Sequence, residues 1–144
     1  MPTHAVKRTL PFSRAQLFAL VADVESYPEF LPWCVGARVT RRQDNVFYAD
    51  LIIGFRMFRE RFTSKVTLDA DKRIDVAYLS GPLRYLNNHW IFHDGEHPGQ
   101  CAVDFYVDFE FKSRLFQKMV GPLFNEAVRR MVDSFECRAE VLYN

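Results

Sequence analysis

A chain of 144 residues with 49% hydrophobic content is enough for one domain that buries a real core, and 1–144 reads as a single domain. The formal net charge of +1 speaks against the strongly basic footprint of a DNA-binding protein. Fourteen Phe, six Tyr and two Trp make 15% of the chain aromatic, so either the core is bulky or a hollow is lined with rings.

The small net charge is unevenly spread. Between Arg38 and Lys65 there are seven basic residues and three acidic ones, whereas Asp94 to Glu110 holds five acids and no Lys or Arg. Cys34, Cys101 and Cys137 are odd in number and far apart, which fits reduced thiols better than a disulfide framework or a zinc site. The opening "MPTHAVKRTLPF" has no signal-peptide apolar run, and no segment approaches the roughly eighteen apolar residues of a membrane span. The expected location is cytoplasmic and peripheral at a bacterial inner membrane, or the matrix side of a mitochondrion if the source is eukaryotic.

In chain order, residues 3–10 alternate as a first strand that Pro11 ends. Ser13 can cap a short amphipathic helix whose apolar face is Leu17, Leu20, Val21 and Val24. "SYPEFLPWC" follows at 26–34, where Pro28 and Pro32 leave room for about one helical turn in a stiff apolar loop.

From Val35 to Phe111 turn signals fall near 43–45, Gly54, 69–72, 80–82 and 94–99, which predicts an antiparallel meander of six strands. The last strand places Cys101, Val103, Phe105, Val107, Phe109 and Phe111 on one face and Asp104, Tyr106, Asp108 and Glu110 on the other. In the strand around 57–68, Glu60 shares the apolar face with Phe58, Phe62, Ser64, Val66 and Leu68. After Ser113, apolar pairs recur at helical spacing from Leu115/Phe116 through Met119/Val120 and Leu123/Phe124 to Phe135, with a kink expected at Gly121-Pro122.

This order packs as an α+β fold: a curved antiparallel sheet wrapped around a long C-terminal helix, with two short helices after the first strand. The concave face, including Glu60, Phe62, Phe105 and Phe109, and the helix stripe then meet as a core or stand apart around an apolar pocket, with loop 26–34 as a lid. Glu60 can act as a general base, hydrogen-bond a ligand carbonyl once protonated, or simply pair with an Arg or lie exposed at a strand end. Arg38, Arg41, Arg42, Arg59, Arg61 and Lys65 read as a solvated face or as an attractor for RNA or anionic headgroups. His89 and His93, four apart on a strand, are roughly 13 Å apart, too far to share a metal ion; no metal or catalytic cofactor is expected. No nucleophile motif or phosphate-binding glycine loop is present.

"SYPEFLPWC", "SGPLRYLNNHW" at 80–90 and "VDFEFKSRLFQKMVGPLFNEAVRRMVDSFECRAEVLY" at 107–143 together resemble the coenzyme Q-binding family of START-like, polyketide-cyclase-related proteins, whose bacterial members include a ribosome-association toxin. The resemblance implies a helix-grip fold with a hydrophobic tunnel that takes ubiquinone or a similar polyprenyl lipid, carried for respiration without a reaction of the protein's own. It implies Tyr27, Phe30, Leu31, Pro32 and Trp33 at the tunnel mouth. Leu115, Phe116, Met119, Val120, Leu123 and Phe124 would form its wall. Pro82 and Leu83 would form a second entrance loop, with Leu83 standing where Phe is expected. The implied partners are the lipid and, transiently, a membrane surface. A ribosome-bound regulator using strands 38–65 is the first rival, opposed by the low net charge. An aromatase or cyclase in the same pocket is the second, opposed by the lack of acid/base pairs.

Overall fold

The computed structural model describes residues 3–55, 58–120 and 124–143. Seven strands form one antiparallel sheet: β1 Thr3–Leu10, β2 Cys34–Gln43, β3 Val46–Phe55, β4 Phe58–Asp69, β5 Arg73–Ser80, β6 Leu83–Asp94 and β7 Cys101–Phe111. Their order is β1-β7-β6-β5-β4-β3-β2, so the meander is sequential from β2 to β7 and β1 returns to flank the last strand. The sheet curves around the C-terminal helix in a helix grip.

β7 shows why. Cys101, Val103, Phe105 and Val107 are buried on its concave face, and every intervening residue is half-buried on the other. In register with them, Trp90 opposes Phe105 and Phe92 opposes Val103 across β6. The same alternation buries Phe47 and Ala49 on β3, Val66 on β4 and Ile74 on β5.

The helical layer is α1 Arg14–Ala22, a 3-10 helix Val24–Glu29, α2 Arg114–Val120 and α3 Phe124–Tyr143. α3 turns Val128, Val132, Phe135 and Ala139 into the core, a stripe at helical spacing. α1 starts on a capping box: the Gln16 N–H donates to Ser13 Oγ (3.1 Å), and the Ser13 N–H donates to Gln16 Oε1 (3.0 Å). It buries Phe18 as well as the expected Leu17, Leu20 and Val21.

The strand break expected near Gly54 falls just after it: Gly54 lies inside β3 and pairs with Arg59, β3 ends at Phe55, and β4 begins at Phe58. The terminal helix is described as two segments, and the expected kink at Gly121-Pro122 lies outside the described residues. The Gly81 turn does require its glycine: φ is 147°, and a Cβ would stand 2.9 Å from the Arg61 carbonyl oxygen.

Replacing Ser13 by Ala removes the side-chain half of the capping box. Urea unfolding should show a loss of about 1 kcal/mol, with the midpoint lowered and the slope unchanged.

Candidate functional site

The lid is built on three rings. The 3-10 helix brings Tyr27 and Phe30 onto Phe135 of α3, each edge-on with centroids 5.3 Å away, and onto each other at 6.0 Å. Phe135 in turn meets Trp90 of β6 edge-on at 5.0 Å, and Trp90 packs on Phe105 at 4.5 Å. Buried Tyr27 donates its hydroxyl proton to the Val21 carbonyl, and burial pushes its pKa well above the usual tyrosine range. On the outer side Arg138 pairs with Glu29 (3.2 Å) and lies 5.3 Å over the Phe30 ring, a cation-π clamp across lid and helix. Trp33 ends the lid in the left-handed region (φ 67°), held by the Gly54 N–H donating to its carbonyl at 2.8 Å.

Beneath these rings, between the concave sheet, α1 and α3, lies an apolar cavity of about 40 Å³. Leu17, Leu20, Val21, Trp90, Phe105 and Val132 are among its walls, and the charged groups on it are Arg8 and Glu136. Arg8 Nη1 donates to Glu136 Oε2 (2.8 Å) and Asp133 Oδ1 (2.9 Å), tying β1 to α3. These two bonds and the paired negative charges hold the guanidinium pKa above its ordinary value against the opposing effect of burial. The triad sums to one negative charge.

Among the described residues this cavity has room for a water but not for a benzoquinone ring. Of the expected residues that the structure describes, Phe105 lines this cavity and the others do not. Phe30, Leu31 and Pro32 instead line a wide groove of about 650 Å³ between the outer side of the lid and α3. Leu83 is buried opposite Phe111, and its N–H donates to Tyr78 Oη (2.9 Å); Pro82 lies in the turn before it, its carbonyl accepting from the Lys112 N–H (2.9 Å). Phe109 packs against the core edge and Phe62 is half-buried.

Glu60 is exposed rather than set on a covered apolar face. It lies near the start of β4, in the stretch that pairs with β3 alone before pairing with β5 begins at Thr63. Leu115 and Met119 are also exposed, at 71% and 53%, while Phe116 of the same helix turns inward onto Phe111 (4.5 Å). The Val120 and Phe124 side chains and all of Leu123 lie outside the described residues. Arg8 is the site residue that sequence reasoning missed; its only signal was its place in the alternating strand 3–10.

The histidines are engaged separately. His89 stacks on Tyr106 at 5.1 Å, its pKa lowered by burial and by Arg73, and His93 Nε2 meets Asp104 at 3.0 Å. No group of three possible ligands that could hold a metal ion occurs among the described residues. The cysteines are free: Cys34 and Cys101 are buried, with burial pushing Cys101 up to about 11, and Cys137 is exposed.

A curved sheet gripping a terminal helix over an apolar interior defines a START-like helix-grip protein. The chain belongs to the family described as polyketide cyclase/dehydrase and lipid transport, whose model matches residues 10–136. It is 34% identical over 145 residues to a Pseudomonas aeruginosa protein named ribosome association toxin RatA, covering 99% of both chains. It is also 34% identical over 143 residues to the mitochondrial coenzyme Q-binding protein COQ10 homolog B of Xenopus laevis, covering 97% of this chain and 59% of that one. Among solved structures, an 18 kDa protein of Caulobacter crescentus superposes with a TM-score of 0.78 at 37% identity, covering 99% of each chain. The Zhui aromatase/cyclase of a Streptomyces species superposes at 0.84 with 13% identity, covering 96% of this chain and 93% of that one; that likeness is one of fold.

Tyr27→Phe keeps the ring contacts and removes the hydroxyl, leaving the Val21 carbonyl without that donor. Urea unfolding should report a loss of about 1–2 kcal/mol.

Proposed function

We propose that the protein binds ubiquinone or a related polyprenyl lipid between sheet and α3, and carries it to or from a membrane surface in support of respiration. On this reading it runs no reaction of its own and works at the inner face of a bacterial inner membrane, or on the matrix side of a mitochondrion. The observation that carries the reading is the interior itself: walls of Leu, Val, Phe and Trp, one cationic donor at the rim, and an aromatic lid across it. The likeness to a protein named for coenzyme Q binding supports it.

This cavity is small at rest, so a ligand that enters it does so by displacing Tyr27, Phe30 and Phe135. Headgroup selection, first sought at Glu60, falls to Arg8. Its guanidinium can donate to a carbonyl, and the net negative charge of Arg8, Asp133 and Glu136 favours a neutral headgroup over a fatty-acid carboxylate.

The test uses Trp90, which lies on the cavity wall. In a Trp33→Phe variant the remaining tryptophan should be quenched saturably by ubiquinone, with no competition from a long-chain fatty acid. Solvent extraction and mass spectrometry of the purified protein should recover a quinone. No saturable quenching together with no copurified quinone would remove the reading.

One observation favours a second activity. Arg59 and Arg61 are exposed and share the convex face of β4 with Lys65, and the register sets Lys65 beside Tyr48, over which Arg41 lies at 5.7 Å. A basic face interleaved with an aromatic ring suits RNA backbone, and several relatives are named for ribosome association. Arg59→Gln with Arg61→Gln should abolish co-sedimentation with ribosomes in a low-salt gradient and leave Trp90 quenching unchanged. Co-sedimentation equal to wild type would remove this second reading.

A further inference from the structure

We propose that α2 is a membrane-docking element that lays Leu115 and Met119 into the surface of an anionic phospholipid bilayer. This deepens the delivery step of the reading above and rests on it for purpose, though the observations are separate.

The starting point is the exposure of two large apolar side chains in one short helix, Leu115 at 71% and Met119 at 53%. Spaced i, i+4, they lie on one face. The opposite side of the helix is what fastens it to the protein. The Phe116 ring meets Phe111 at 4.5 Å and 90°, and the Phe111 N–H donates to Gln117 Oε1 at 3.0 Å. The Phe116 N–H donates to Ser113 Oγ at 3.1 Å, and the Gln117 N–H to the Ser113 carbonyl at 3.0 Å. With that side fixed to the end of β7, the Leu115/Met119 face can only point outward.

The charges around this pair choose the occupant. Lys112, Arg114 and Lys118 are all exposed, and no acid occurs from Lys112 to Val120. Arg114 and Lys118 are themselves i, i+4, so a basic stripe runs beside the apolar one. An apolar stripe with cations along its edge matches the plane where acyl chains meet anionic headgroups, with Lys and Arg stems reaching up to phosphate. This charge pattern complements a uniformly anionic surface. No helix among the described residues is long and apolar enough to cross a membrane, so the contact is one of lying on the surface.

α2 joins β7 to α3, the two elements whose concave and inward faces enclose the apolar interior.

The test is flotation of the full chain with vesicles of phosphatidylcholine, with and without phosphatidylglycerol. Wild type should float with the anionic vesicles and dissociate as salt is raised. Leu115→Ser with Met119→Ser should weaken the partition by about tenfold or more, as should Arg114→Gln with Lys118→Gln. Both pairs are exposed, and circular dichroism and thermal melts should match wild type. Three outcomes overturn the proposal: wild type that does not float, a Leu115/Met119 variant that floats like wild type, or loss of flotation only when Arg59 and Arg61 are neutralised. Concentration-dependent dimerisation abolished by the serine pair, with flotation intact, would assign the face to a second copy instead. Trp90 quenching by quinone in detergent needs no vesicle, so failure of ligand binding and failure of docking are read separately.

Discussion

The packing of Phe135 is the contact on which the rest of the structure depends. Its ring is met edge-on by Trp90 from the sheet and by Tyr27 and Phe30 from the lid, so one side chain on α3 joins the three layers. Edge-on pairs place ring hydrogens against π faces and contribute about 0.5–1.5 kcal/mol each beyond burial. Beyond these rings the lid is held by the Arg138 clamp on Glu29 and Phe30 and by the Val39 N–H donating to Glu25 Oε2 at 3.0 Å. Its backbone is a short 3-10 helix containing Pro28, tied down at its ends by the Tyr27 hydroxyl on Val21 and by Gly54 on Trp33.

The polar contacts sit where the apolar ones cannot reach. β1 is an edge strand, paired only with β7, and Arg8 closes the seam to α3 through Asp133 and Glu136. On the far side of the lid Arg138 does the corresponding work through Glu29 and the Phe30 ring. Both pairs are partly exposed, so each contributes modestly to stability, of order 1 kcal/mol or less. Their larger effect is positional: they fix α3 against the sheet edge and the lid against α3, and the cavity opens between those two seams.

The fold was legible because its signals repeat. Cys101, Val103, Phe105 and Val107 of β7 alternate with half-buried neighbours, the turns at 43–45, 69–72, 80–82 and 94–99 are rich in Gly, Pro, Asp and Asn, and Ser13 with Gln16 marks a helix start. Gly54 marked the end of β3 to within a residue, since the strand runs on to Phe55 and β4 begins at Phe58. The site was less legible, since faces are local and coverage is not. Period two puts Glu60 with Phe62, but it does not tell whether another layer lies over that face. Period 3.6 puts Leu115 and Met119 in line with the stripe of α3, but Phe116 and Gln117 fasten their segment by its other side, so the two face outward. Arg8 carried no signal beyond its place in the alternating strand 3–10, because its role comes from α3, more than a hundred residues away. The aromatic surplus, which suggested a hollow, is largely spent on filling one.

That filled interior bears on what the proposed ligand must be. Opening the lid gives up the Tyr27, Phe30 and Phe135 contacts, a cost of about 2–4 kcal/mol if each of the three pairs contributes as such pairs do. A state that far above the ground state is populated at about 0.1–3%, and the apparent affinity of any ligand falls by the same fraction. Each methylene that leaves water returns about 0.8 kcal/mol. A headgroup alone, with a single carbonyl for Arg8, does not offset the opening, whereas a tail of a few isoprenoid units does so several times over. On the proposed reading, selection for a long apolar tail comes from the lid, and selection for a neutral head from the triad at the rim.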